Sequence, residues 1–346
     1  MNIQSKESHG IERGRNRRKR RWWFFIFLLF LFVIALCWCM LLLGNTFYPV
    51  DIVIRSLMGE KILGANFAIN TIRFPRMVAG LFSGFAFGVA GYIFQTILRN
   101  PLANPNILGI TSGSSAAAVF CITVLHLSQT AVSIAAIIAG FITVLIIYFL
   151  SSGNSFSIGR LIIVGIGMQA MLEAAISFLM IKSAQQDIGE VLRWLSGSLN
   201  GSKLSETTPL ILAVLILTPL ILLLSRHLSM LELGEQTATS LGVATDKVRI
   251  TLMISSVVMI AIATATTGPI AFVSFLAGPI ANRLVGVSSS SNILPAGLIG
   301  AVLVLGADLI GQFAFAYRFP VGVITGLLGA PYLIYLLIRM NRKGEL

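Results

Sequence analysis

Residues 73–118, RFPRMVAGLFSGFAFGVAGYIFQTILRNPLANPNILGITSGSSAAA, decide how this chain is read. Arg73 and Arg76 flank Pro75, a residue suited to the first turn of a helix. An apolar run follows, with Gly80, Gly84 and Gly88 four residues apart and Gly91 three further on. The run stops at Arg99-Asn100-Pro101-Leu102-Ala103-Asn104-Pro105, and a helix of small residues begins after it. A long apolar helix that breaks on two prolines and at once turns back is a membrane hairpin. The glycine spacing marks a face that a neighbouring helix approaches closely.

Composition supports that reading. The chain has 346 residues, of which 56% are apolar and 11% charged. A soluble domain carries about 25% charged residues, so lipid is the solvent for most of this chain. Residues 22–43 contain no charge, and their polar groups are two cysteines and three indoles. A bilayer core of about 30 Å needs about 20 helical residues. The basic block before Trp22 suggests a signal peptide, but the apolar run is too long for one and no small-residue cleavage site follows. The first helix is therefore expected to remain uncleaved.

Ten spans are expected, at 22–43, 76–98, 107–126, 129–150, 161–181, 207–225, 250–266, 269–282, 293–313 and 319–338. The fold class is all-α and polytopic. The eighth span is short and Pro279 interrupts it, so hydropathy also allows a re-entrant segment there. Eight of the 25 Lys and Arg residues precede Trp22. That asymmetry puts both the N-terminus and the C-terminus in the cytoplasm, and alternation orients the later helices. The net charge of +12 follows from this topology and gives no support for nucleic-acid binding. Connections 44–75 and 182–206 then lie outside, and 226–249 lies inside. All three are longer than ordinary loops.

Several chemistries lack their parts. No GK dipeptide occurs, hence no Walker A loop, and no HExxH motif occurs. His9, His126 and His227 are far apart, and Cys37-Trp38-Cys39 is not a metal spacing. No catalytic, metal or cofactor site is expected in this chain, and it is not expected to be an enzyme.

Two ionisable residues lie within spans, Glu173 and Asp308. Such groups are costly in lipid and mark functional positions by default. Both are expected to be buried, Asp308 in an interhelical hydrogen bond or a functional role, Glu173 beside a pore or a polar partner. The 226–249 loop, RHLSMLELGEQTATSLGVATDKVR, alternates apolar with polar and small residues. It fits a short amphipathic helix pair that docks a cytosolic partner, or a helix lying on the membrane surface. The tripeptide Arg73-Phe74-Pro75 recurs as Arg318-Phe319-Pro320. These arginines either snorkel to headgroups or dock a partner.

The ordered blocks carry a resemblance. Arg73-x-Pro75-Arg76, RNPLANP at 99–105 with ILGITSGSSAAA after it, RWLSGSLNG at 193–201 and LGEQTATSLGV at 233–243 stand in sequence. GPIAFVSFLAGPIANRLVG at 268–286 and PVGVITGLLGAPYLIYLL at 320–337 complete the set. Together they resemble permease subunits of the iron-siderophore and vitamin B12 ABC importer family (FecCD-type), over nearly all of residues 73–339.

The resemblance implies one transmembrane permease domain at 22–339, between a basic tail at 1–21 and a short cytoplasmic tail at 340–346. It implies a second permease subunit, identical or paralogous, two ATP-binding cassette subunits and an extracellular substrate-binding protein. ATP and Mg would belong to the partner ATPase. Leu233, Gly234, Glu235, Leu241 and Gly242 would couple to that ATPase. Arg73 and Arg76 would receive the binding protein, joined by Arg318, because Gln312 stands where the family often has an arginine. Arg99, Asn100, Pro101, Asn104 and Pro105 would form an inner turn, and Gly80, Gly84 and Gly88 a packing face. The histidine usual after Gly278-Pro279 is absent. The implied cargo is a ferric-siderophore chelate moved by alternating access in a bacterial cell membrane. Vitamin B12 or haem within the same family is the alternative. An ion-coupled secondary transporter and an intramembrane enzyme are the rival classes.

Overall fold

The computed structural model describes residues 3–151, 158–232, 234–286 and 292–343. Among these residues there are fourteen α-helices and no strand. In chain order they are α1 (Ile3–Leu42), α2 (Val50–Leu57), α3 (Phe74–Ile97), α4 (Ile110–Thr123), α5 (Gln129–Ser151), α6 (Ile158–Lys182) and α7 (Gln185–Ser196). Then come α8 (Leu204–Leu223), α9 (Ser225–Glu232), α10 (Glu235–Ser240), α11 (Thr245–Thr267), α12 (Val273–Val285), α13 (Ile293–Phe313) and α14 (Val321–Lys343). Each of the ten expected spans falls on a helix. Eight helices are long and apolar enough to cross a membrane, and α4 and α12 are shorter apolar helices.

The shortness of α12 has a structural cause. Thirteen residues make about 20 Å of helix, less than a hydrocarbon core. The segment 268–272 does not continue α11 but runs as irregular backbone to the level of Gly91 on α3, where a Cβ would strike the Ser274 carbonyl. Such backbone is tolerated at membrane depth only when it is packed in protein. Ile270 and Val273 are buried, and the Thr267 carbonyl accepts from the Ser198 amide at 2.7 Å. The eighth segment is thus an irregular stretch packed in protein, followed by the short helix α12.

Helix α3 is the axis of the molecule. In its apolar window, extended by a π-helical turn at Phe67–Arg73, 83% of residues are buried, against 17% for α1 and for α6. Helices α8, α11, α12 and α13 surround it. The glycines explain how they come so close. A Cβ on Gly84 would lie 2.5 Å from the Gly300 carbonyl oxygen of α13, and one on Gly88 would overlap the Ala296 carbonyl. Gly80 admits Leu199 and Leu305. The expected packing face is therefore present, and its partner is mainly α13. Gly322 of α14 packs on the Ser196 carbonyl in the same way. Gly326 does not, because nothing lies within 4 Å of where its Cβ would be.

A second cluster, built from α4, α5 and α7, joins the first through α11. Helix α6 packs on α4 and α5 by one face only, leaving Ile163, Phe178 and Ile181 exposed. An outer surface of large apolar side chains suits lipid or a partner helix.

Candidate functional site

At one end of the bundle the 99–105 loop is fastened to the 226–249 segment. Pro101 and Pro105 prevent α3 from continuing, and Arg99 adopts a left-handed conformation with φ 48°. The Asn100 side chain accepts from the Leu102 amide at 2.8 Å, and that of Asn104 from the Asn106 amide at 3.1 Å. These asparagine turns shape the loop. Asn104 Oδ1 also accepts from the Ser274 hydroxyl at 3.2 Å, which ties the loop to the start of α12. The Arg99 guanidinium donates to the Leu231 carbonyl in the last turn of α9 at 2.8 Å. The central helix and the 226–249 segment are joined by that bond.

The segment itself is a helix pair, α9 and α10, as the amphipathic pattern led one to expect. Gly234 at φ 119° makes the corner between them. Gly242 at φ 81° ends α10 in a Schellman motif, with Val243 N–H donating to Ala238 at 3.1 Å and Gly242 N–H to Thr239 at 2.9 Å. Leu228, Leu231, Ala238 and Val243 are buried beneath the pair. Leu241 is 59% exposed at the tip. Leu233 lies outside the described residues. The result is a hydrogen-bonded corner with an exposed apolar knob, anchored to α3 through Arg99.

The opposite end corrects the arginine expectations. Arg73 is only 9% exposed. Its guanidinium donates to the carbonyls of Leu41 at 2.8 Å, Leu42 at 2.9 Å and Thr46 at 2.6 Å, and lies over the Tyr48 ring. The Leu41 and Leu42 carbonyls stand at the C-terminal end of α1, where such groups lack helical partners; Arg73 bonds both, and the Leu42 carbonyl also accepts from the Tyr48 amide at 3.2 Å. Arg76 donates to Asp308 through Nε at 2.9 Å and Nη2 at 2.8 Å, and Gln312 donates to the same carboxylate at 2.6 Å. The Asp308 side chain is 1% exposed and that of Arg76 13%. Neither Arg73 nor Arg76 offers a free outward charge in this chain, because internal acceptors hold both. Arg318 is exposed and contacts Asn45, which leaves it as the surface charge of the three.

Glu173 is also corrected. It is not buried but lies on the exposed part of α6, bonded to Gln169 Nε2 at 2.7 Å. The reason is the single packed face of α6. Asp308 is the buried acid, and it is neutralised.

Sequence reading missed two features. Gln95, buried in α3, donates to the Phe275 carbonyl at 2.9 Å, at the irregular start of α12. A lone amide one turn after Gly91 was the available signal. The structure also gathers three motif blocks at one place. Gly197 follows α7, and its carbonyl accepts from the Gly322 amide at 3.2 Å. Gly268 packs against Trp194 and Gly197, and a Cβ on Gly197 would lie 2.5 Å from the Pro269 carbonyl oxygen.

Comparison with known proteins agrees with this architecture. A family model described as the FecCD transport family matches residues 27–339. The ferric enterobactin transport system permease protein FepG of Escherichia coli (strain K12) is 37% identical over 295 residues, covering 84% of this chain and 88% of the relative. The achromobactin transport system permease protein CbrC of Dickeya dadantii (strain 3937) is 37% identical over 292 residues, covering 84% of each. A solved structure described as an inward-facing conformation of a metal-chelate type ABC transporter aligns with a TM-score of 0.80 at 26% identity. It covers 92% of this chain and 99% of its own.

Proposed function

The chain belongs to the FecCD transport family, and from that premise we propose that it is a membrane-spanning subunit of an ATP-driven importer of ferric-siderophore chelates. It is a multi-pass protein of the bacterial cytoplasmic membrane. In the proposed assembly it pairs with a second permease subunit around a central path. Two ATPase subunits, which hold ATP and Mg, sit at the 99–105 end, and an extracellular binding protein delivers the chelate at the opposite end. Both termini are then cytoplasmic.

The observation that carries this reading is the bond from Arg99 to the Leu231 carbonyl. It makes the α9–α10 corner move with α3, the helix around which the bundle is packed. A partner that grips the exposed Leu241 knob can tilt the bundle through that bond together with the packing of α9 on α3, α8 and α11. Closure of the ATPases on ATP would shift the corner, pivot the helices and open the path to the other side. Glycine faces suit such a pivot, since little side-chain bulk separates the helices. The pairing of Asp308 with Arg76 weighs against a proton-coupled carrier, because Asp308, the one buried acid among the described residues, is already matched.

The test is purification with the ATPase and reconstitution in vesicles. Uptake of a ferric chelate is expected only with ATP and the loaded binding protein. Uptake without ATP, or a permease that never co-purifies with a Walker A-bearing subunit, would overturn the reading.

A further inference from the structure

Glu173 is the acidic residue the packing leaves unexplained. It stands nine residues before Lys182, the end of α6, which is about 14 Å along the axis and places it near mid-membrane. It is exposed, among exposed neighbours such as Ile166, Met171 and Phe178. A carboxylate at this depth is costly against hydrocarbon, so such residues face a wet cavity or a polar partner. Gln169 and Ser177 stand four residues to either side, making one polar stripe on the helix. The Gln169 amide donates to Glu173 Oε1 at 2.7 Å and fixes its direction, while Ser177 Oγ donates to the Glu173 backbone carbonyl at 2.9 Å. Among the described residues no cation pairs with Glu173, in contrast to Asp308.

We infer that Glu173, oriented by Gln169, lines the translocation path and selects by charge for chelates that are neutral or cationic. The inference rests on the proposed importer function and narrows its substrate class. The charges follow from elementary chemistry. Three singly deprotonated hydroxamates neutralise Fe3+, so a tris-hydroxamate complex is neutral, or cationic when an amine is pendant. Three doubly deprotonated catecholates leave a net charge of 3−. A fixed carboxylate in a narrow, partly desolvated path repels the second class and tolerates or attracts the first. The path therefore favours tris-hydroxamate chelates over tris-catecholates.

The test uses the complete reconstituted complex with loaded binding protein at saturation. The probes are three ferric tris-hydroxamates that share one linear core. Its terminal amine is free, acetylated or succinylated, giving net charges of +1, 0 and −1. The measured quantity is the ratio of ATP-driven uptake of the −1 probe to that of the +1 probe. Glu173→Gln is expected to raise this ratio roughly 50-fold before screening by salt, and at least about fivefold with it, because the two probes differ by two charges and each charge is worth roughly sevenfold at roughly 14 Å with an effective dielectric near 20. Glu173→Asp, which keeps the charge, is expected to keep the ratio low. A Gln variant that transports with a ratio within about twofold of the parent overturns the inference. So does loss of all uptake in both variants, or failure of the Gln variant to join the second permease subunit while the Asp variant joins. The last outcome would assign the carboxylate to the subunit contact. If the parent takes up none of the three probes but does take up a ferric tris-catecholate with ATP, the inference is overturned and the importer function stands; uptake of no ferric chelate of either class overturns the importer function itself.

Discussion

Replacing Asp308 by Asn tests the account of the arginine end most directly. In the native chain the carboxylate accepts three hydrogen bonds, two from Arg76 and one from Gln312, and is almost wholly buried. Bonds to a charged group contribute about 1.5–3 kcal/mol each. The variant removes the charge that matches Arg76, and its amide cannot accept all three. Summing the lower values gives about 4.5 kcal/mol, in line with the roughly 3–5 kcal/mol cost of breaking a buried pair from one side. Arg76→Met with Asp308→Leu should recover much of that loss, because the double replacement leaves no buried charge unmatched. The assay is unfolding of the purified protein in mixed micelles under rising denaturant, read by tryptophan fluorescence, for the parent, both single variants and the pair. If Asp308→Asn costs less than about 1 kcal/mol, or if the double variant is no better than the worse single one, Arg76 and Asp308 are not a coupled buried pair.

Three further outcomes are expected. Gly84→Val should destabilise by more than about 3 kcal/mol, beyond ordinary overpacking, because its Cβ meets the backbone of α13; Gly326→Ala, with open space around it, should stay within about 0.5 kcal/mol in the same assay. Arg318→Glu should weaken binding-protein capture and uptake while leaving micelle stability unchanged; a variant that binds and imports like the parent would remove Arg318 from the docking surface. In the 44–75 connection, Glu60 accepts from Arg55 Nε at 2.6 Å, and this bond holds its carboxyl below the usual range. The order it lends to that connection should be present above the usual carboxylate range and lost as pH falls through the lowered value. Amide exchange at residues 58–66 should report that loss, and Arg55→Gln should abolish the dependence.

What the sequence made legible was whatever depends on runs and spacing. All ten apolar segments carry a helix because lipid-facing backbone has few other choices, while 268–272 is irregular where it is packed in protein. Gly84 and Gly88 marked a close contact because a four-residue period lies on one helix face. The α9–α10 corner was legible from its alternation and its two turn glycines. The arginines were not, because their roles are set by residues far along the chain. Nothing near Arg73 indicates that α1 ends within its reach, and Arg76 meets its acid only after 232 residues. The same distance hid the exposure of Glu173, since a single packed face on α6 is a property of the neighbours. Helix α4 is also shorter than its apolar run implied, because Pro105 and Asn104 set a 3-10 turn ahead of it and Gly109 adopts φ 64°.

The separation of Arg76 from Asp308 has a consequence during synthesis. Helix α3 is the second span to leave the ribosome and the most enclosed in the finished bundle. Chains grow at about 5–20 residues per second, so 232 residues take roughly 12–46 s. For that interval the arginine has no acid, and the glycine face has no α13 to receive it. The nascent helix must wait in the membrane with its guanidinium drawn toward the headgroups and its flattest surface open to lipid or to an insertion factor. The arrival of α13 then neutralises the charge and closes the glycine face in one event, so the ninth span acts as the latch that commits the second.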